Sequence, residues 1–186
     1  LLARGCYEPA LEILSTTIHL AHKFELHAEL IQMTDVLRSH AIMRNDMEVY
    51  KELNELLHEA TAGLSGALRA RQLFYEITVP GLLEIDSLNG YRKHAGGLLA
   101  WMDNKTKRSH SPRIAFFRGL ATVNYHATLF EFDRALTAGK KLLRLIAQEE
   151  ILNCDVNRGG VCFELAALSL RTNRMTQAEE HIQEAI

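Results

Sequence analysis

Leu129-Phe130-Glu131-Phe132-Asp133-Arg134-Ala135-Leu136 reads as a short turn running into a helix start, and its outline recurs along the chain. The related segments are Arg4-Gly5-Cys6-Tyr7-Glu8-Pro9-Ala10-Leu11, Arg44-Asn45-Asp46-Met47-Glu48-Val49-Tyr50, Asn89-Gly90-Tyr91-Arg92-Lys93-His94 and Thr172-Asn173-Arg174-Met175-Thr176-Gln177-Ala178. With Ala10, Tyr50, His94, Ala135 and Ala178 as equivalent positions, the spacings are 40, 44, 41 and 43 residues. A period in that range marks a helical solenoid, in which one helix pair is too small to bury its own apolar face and stacking on neighbours supplies the core.

The segments between these turns read as helix. Leu, Ala, Glu, Lys, Arg and Gln dominate, the alternation expected of strands is missing, and the only prolines are Pro9, Pro80 and Pro112. Leu26, Leu30, Met33, Leu37 and Ala41 recur at three- and four-residue steps and form one face of a helix over about 25–43. Asn45-Asp46 offers a cap for the next helix, whose apolar face is Val49, Leu53, Leu56, Leu57 and Ala60. Gly63 to Ser65 is expected to end that helix, with a further one over about 66–85 interrupted near Pro80. Residues 86–90 are expected as a turn before a helix over 91–102, and Ser111-Pro112 as a cap with proline at the first helical position of a helix ending near 129. Helices over about 132–148, 161–170 and 175–186 follow, with residues 157–160 as the break before the second of these. With an opening helix over 8–23, the expectation is an all-α chain of about nine antiparallel helices, in units of about 1–24, 25–62, 64–104, 110–150 and 157–186.

The last unit, Cys162-x2-Leu165-Ala166-x2-Ser169 followed by Ala178-x3-Ile182 and Ala185, resembles the tetratricopeptide pattern W-x2-L-G-x2-Y then A-x3-F and A. The first unit matches in its second half only, through Tyr7, Ala10 and Leu14. The period exceeds the tetratricopeptide length of about 34 residues and is similar to that of the longer repeats of kinesin light chains and bacterial regulatory proteins. Armadillo and HEAT repeats have overlapping periods and are the alternative. The tetratricopeptide resemblance implies an α-α superhelix, a solenoid whose first helices line a concave groove, acting as a non-catalytic scaffold for a protein or peptide. It also implies a second function, the sensor or regulatory part of a transcriptional or signalling regulator whose output domain lies outside this chain. The abrupt start at Leu1 and the stop at Ile186 within a helix read as a fragment of a longer array.

Composition narrows the rest. No apolar run approaches the roughly 18–20 residues of a membrane span. Cys6, Cys154 and Cys162 form no CxxC pair and leave an odd thiol, which suits a reducing, cytoplasmic compartment. The charge is unevenly spread: residues 1–65 carry five Lys/Arg against ten Asp/Glu, 66–148 thirteen against six, and 149–186 three against seven. The basic middle suits an acidic partner and falls short of the concentrated stripe that nucleic acid requires.

Candidate chemistry is sparse. His19 and His22 share a helix face near Glu25 and His27, but no HExxH pattern or neighbouring cysteine supports a metal, and no cofactor is expected. His94 falls at a packing position, where a hydrogen-bonded core histidine is expected, and Cys162 reads as a small buried hydrophobe. Trp101, Phe116 and Phe117 read as core, and Gly96-Gly97 as a point of close helix approach. No nucleophile, acid and base converge, so no enzyme is expected. The candidate partner site is basic: Lys105, Lys107, Arg108, His110 and Arg113 in a loop and helix start, then Arg118, Thr122 and His126 as an i, i+4, i+8 stripe. Its plain alternative is a solvated helix face.

Overall fold

The computed structural model describes residues 7–79 and 87–185, and its chain divides into two compact units, Leu1–Gly66 and Ala67–Ile186. Every element among the described residues is a helix: α1 (Tyr7–Lys23), α2 (His27–Met43), α3 (Met47–Thr78), α4 (Leu88–Ser109), α5 (Pro112–Thr128), α6 (Phe132–Gln148), α7 (Asp155–Arg171) and α8 (Met175–Ala185). The pairs α1–α2, α4–α5, α5–α6, α6–α7 and α7–α8 pack as neighbours, and the short link within each pair makes its two helices antiparallel. None of these helices is long and apolar enough to cross a membrane.

One turn geometry is used four times. Glu25, Asn45, Phe130 and Asn173 all lie in the left-handed region, with φ of 49°, 56°, 59° and 60°. After each, the next residue's N–H reaches back five positions: Leu26 to the Ala21 carbonyl, Asp46 to Ala41, Glu131 to His126 and Arg174 to Ser169, at 2.8 to 2.9 Å. The left-handed residue itself donates to the carbonyl three positions back, at 3.0 to 3.1 Å. This pair of bonds is a Schellman motif, which satisfies the last carbonyls of the helix and reverses the chain within three residues. Three of the four turns are the segments that the sequence recurrence aligned. The N–H of Val49 is also capped, by Asp46 Oδ1 at 3.2 Å.

In the first unit, Ile18 and Ala21 of α1, Leu30 of α2 and Ala60 of α3 form the core, with Met33, Leu37, Leu53 and Leu56 packed against it. The break expected at Gly63 to Ser65 does not occur, because α3 is continuous and the helix count among the described residues is eight rather than nine. Gly63 serves packing instead: the His27 imidazole lies where a Cβ would stand. Its helical penalty of about 1 kcal/mol is small beside the burial of Ala60, Ala70, Leu73 and Ile77 along the same helix.

In the second unit α5 is apolar on two sides. Ile114, Phe117 and Ala121 join Leu73 and Ile77 of α3 and Tyr91, Ala95 and Met102 of α4 in one cluster. Phe116, Leu120 and Val123 join Leu136, Leu142 and Ile146 of α6 and Val161, Leu165 and Leu168 of α7 in another. The Tyr91 hydroxyl donates to the Ile77 carbonyl at 3.0 Å, and burial pushes its pKa up. Ser111 caps α5 through the Ile114 N–H at 3.3 Å with Pro112 beginning the helix, as the sequence predicts.

Several boundaries and burials differ from expectation. Leu88 to Gly90 are helical, because Ser87 caps α4 by accepting from the Gly90 N–H at 3.1 Å; Pro80 and Asp86 lie outside the described residues. Residues 157–160 lie within α7, whose start is fixed when Asn157 Nδ2 donates to the Leu152 carbonyl at 2.9 Å. His94 is exposed and its neighbour Ala95 is the buried residue, since the inward face of α4 runs Tyr91, Ala95, Met102. Trp101, one position before that face, is exposed as well. A Cβ on Gly97 would meet nothing within 4 Å; the close approaches fall at Gly119, 2.6 Å from Leu142 Cδ1, and Gly139, 2.5 Å from Leu165 Cδ2. In the last hairpin Cys162, Leu165, Ala166, Ser169 and Ala178 are buried, but His181 rather than Ile182 faces inward.

Candidate functional site

The third side of α5, turned away from both clusters, carries Ala115, Arg118, Gly119, Thr122 and His126. It forms the floor and one wall of a cavity of about 660 Å³ between the last turns of α4 and the outer face of α6. From α4 come Asp103, Thr106 and Lys107; from α6 come Arg134, Thr137 and Lys141 above apolar Ala138, Leu142 and Leu145. The floor is shallow because α5 and α6 touch at Gly119 and Leu142.

Most cations here are already paired. Arg118 Nε donates to Asp103 Oδ1 at 2.5 Å. His126 Nδ1 lies 2.8 Å from Glu131 Oε2, and Glu131 also accepts from Arg134 at 3.1 Å and Arg92 at 3.5 Å. The His126 hydrogen bond first, and then Arg134, hold the Glu131 carboxyl below its ordinary value. Asp133 is bound by Arg174 at 2.5 Å. Thr122 donates its hydroxyl to the Arg118 carbonyl at 2.8 Å, which fixes the side chain and leaves its lone pairs available. Among the described residues Lys107 and Lys141 make no ion pair, so they are the two cationic groups of the cavity open to a ligand.

The structure therefore brings together four of the sequence-predicted site residues, Lys107, Arg118, Thr122 and His126, and leaves out four, Lys105, Arg108, His110 and Arg113. Lys105 and Arg108 are in α4, which continues to Ser109, so they are spread around a helix rather than gathered in a loop. Arg113 is in the first turn of α5 with its Nε buried, and His110 is the exposed left-handed cap of α4. The α6 wall was missed, although Arg134, Thr137 or Ala138, Lys141 and Leu145 follow three- and four-residue steps that place them on one face.

Other candidates carry less. Burial raises the pKa of the Cys162 thiol, which makes it a poor nucleophile. In the first unit a more open concavity of about 770 Å³ lies among α1, α2 and α3, and His19 lines it but His22 does not. No three His, Cys, Asp or Glu side chains come together as metal ligands among the described residues. The chain matches no protein-family model, and no curated protein or solved structure is significantly similar to it.

Proposed function

We propose that this chain is a tetratricopeptide-like, non-catalytic, cytoplasmic scaffold that binds an acidic protein segment or peptide in the α4–α6 cavity. The observation that supports the reading most directly is the combination of two ammonium groups that make no ion pair among the described residues, Lys107 and Lys141, with an apolar strip of Ala138, Leu142 and Leu145. A carboxylate on the ligand meets the lysines while an apolar side chain covers the strip, so charge sets orientation and burial supplies affinity. The hydroxyls of Thr106, Thr122 and Thr137 add hydrogen-bonding capacity without charge.

The test is fluorescence polarisation with labelled peptides that alternate Leu with either Glu or Lys. The Glu peptide is expected to bind, to weaken with added salt, and to lose about tenfold in affinity on Lys141→Glu, an effect of about 1.4 kcal/mol. Equal binding of both peptides, or indifference to the reversal, overturns the reading.

The cavity volume of about 660 Å³ also lies within the range of roughly 300–1,000 Å³ typical of small-molecule sites. That favours a second reading, a sensor domain for a small anionic ligand, distinguished by calorimetric titration with dicarboxylates in place of peptides.

A further inference from the structure

The concavity of the first unit, about 770 Å³ among α1, α2 and α3, has a lining sorted by polarity. Leu37 of α2 and Leu53 and Leu56 of α3 pack against the core of this unit but are only partly buried, and all three line the concavity beside the buried Ile18. Apolar side chains left half-covered in a recess favour a ligand that removes them from water.

The charged groups gather at one end. Because α1 and α2 are antiparallel, Glu12 near the start of α1 lies beside the end of α2, which carries Arg44. The turn at Asn45 then leads into Asp46 and, in the first two turns of α3, Glu52. Ile18, Leu37 and Leu56 are farther along their helices, toward the core. With its histidines counted as neutral, the lining carries three carboxylates against the single guanidinium of Arg44. Asp46 is engaged in capping the Val49 N–H at 3.2 Å. The exposed carboxylates of Glu12 and Glu52 make no ion pair or hydrogen bond among the described residues. The surrounding sequence has the same sign, since residues 1–65 carry ten Asp/Glu against five Lys/Arg. A negative mouth over an apolar interior is complementary to a cation with an apolar body.

Size narrows the class further. From Pro9 to His19 the α1 wall is about 15 Å long, and the volume lies within the range of roughly 300–1,000 Å³ typical of small-molecule sites. That accommodates one elongated small molecule and is short for a helix of several turns.

We propose that this concavity is a second ligand site, for a small organic cation with an apolar body such as a long-chain primary amine. The apolar end lies against Ile18, Leu37 and Leu56, and the cationic head meets Glu12 and Glu52. The inference is independent of the ligand assigned to the α4–α6 cavity.

Isothermal titration calorimetry with decylammonium, decanoate and butylammonium tests it. Decylammonium is expected to bind as one molecule per chain, and the other two at least tenfold more weakly, because decanoate has the wrong charge and butylammonium too little apolar surface. Glu12→Gln and Glu52→Gln are each expected to weaken decylammonium by about three- to fivefold. The double variant Glu12→Lys/Glu52→Lys is expected to prefer decanoate while keeping its helical circular dichroism spectrum, since both positions are exposed. Equal binding of decylammonium and decanoate, or no saturable binding of either, overturns the proposal. So does indifference to both glutamine variants, or a Leu–Lys peptide that displaces decylammonium and binds more tightly, which would assign the concavity to a protein partner.

Discussion

A Cβ on Gly139 would stand 2.5 Å from Leu165 Cδ2, so α6 and α7 touch where no side chain fits between them. Leu165 is fully buried and has nowhere to move. Gly139→Ala is therefore expected to destabilise the protein by about 1–3 kcal/mol through overpacking, against an intrinsic helical gain of up to about 1 kcal/mol. Gly97→Ala, at an open helical position, is expected to stabilise by about 0.5–1 kcal/mol. Urea unfolding of the two variants gives opposite signs if the packing is as described.

Phe130 adopts φ 59° with its ring 68% exposed, an unfavourable conformation for a bulky residue. Asparagine tolerates this region well. Its ring lies 6.1 Å from that of Phe132, edge-on, a contact worth about 0.5 kcal/mol at so exposed a site. Phe130→Asn is expected to raise stability by about 0.5 kcal/mol net, whereas the β-branched Phe130→Val is expected to lower it by 1 kcal/mol or more. Thermal unfolding midpoints check both.

Glu131 joins the turn before α6 to His126 of α5 and to Arg92 and Arg134. Its folded pKa lies below the ordinary 4.5. Stability from this carboxylate is therefore fully present above pH 4.5 and is lost as pH falls through the depressed value. The same titration in Glu131→Gln is expected to lose this part of its acid sensitivity, which denaturant midpoints between about pH 3 and 6 measure.

Arg118 is engaged by Asp103 and so competes poorly for a ligand carboxylate. Asp103→Asn is expected to release it and to strengthen binding of the acidic peptide by about three- to tenfold. Both side chains are about two-fifths exposed, so the loss of the pair costs the fold no more than about 1 kcal/mol. Tighter peptide binding with a nearly unchanged unfolding midpoint is the expected outcome.

The all-helical architecture was legible because apolar residues at three- and four-residue steps leave no other period, and because Ser111-Pro112 and Asn45-Asp46 are unambiguous punctuation. The glycines misled. Gly63 and Gly159-Gly160 read as breaks, yet Gly63 sits under the His27 ring and Gly159 near the Ala185 carbonyl. A missing side chain has the same sequence appearance whether it frees the backbone or makes room for a neighbour. His94 and Trp101 were misplaced by one residue, a rotation of about 100° on a helix, enough to exchange core for surface. The α5 stripe was visible within one helix, but the α6 wall of the cavity and the Asp103 partner depend on how neighbouring helices align, which local periodicity does not encode.

The four Schellman turns are closed by main-chain groups alone, around residues as unlike as Glu25, Asn45, Phe130 and Asn173. No side chain at the left-handed position is required for the chain to reverse there. Mutation is thus free to rewrite these positions over evolutionary time while the hairpins persist, at a penalty of about 1–2 kcal/mol for a bulky residue. An architecture whose corners are held by the backbone is heritable without a signature, and its descendants diverge in sequence long before they diverge in shape.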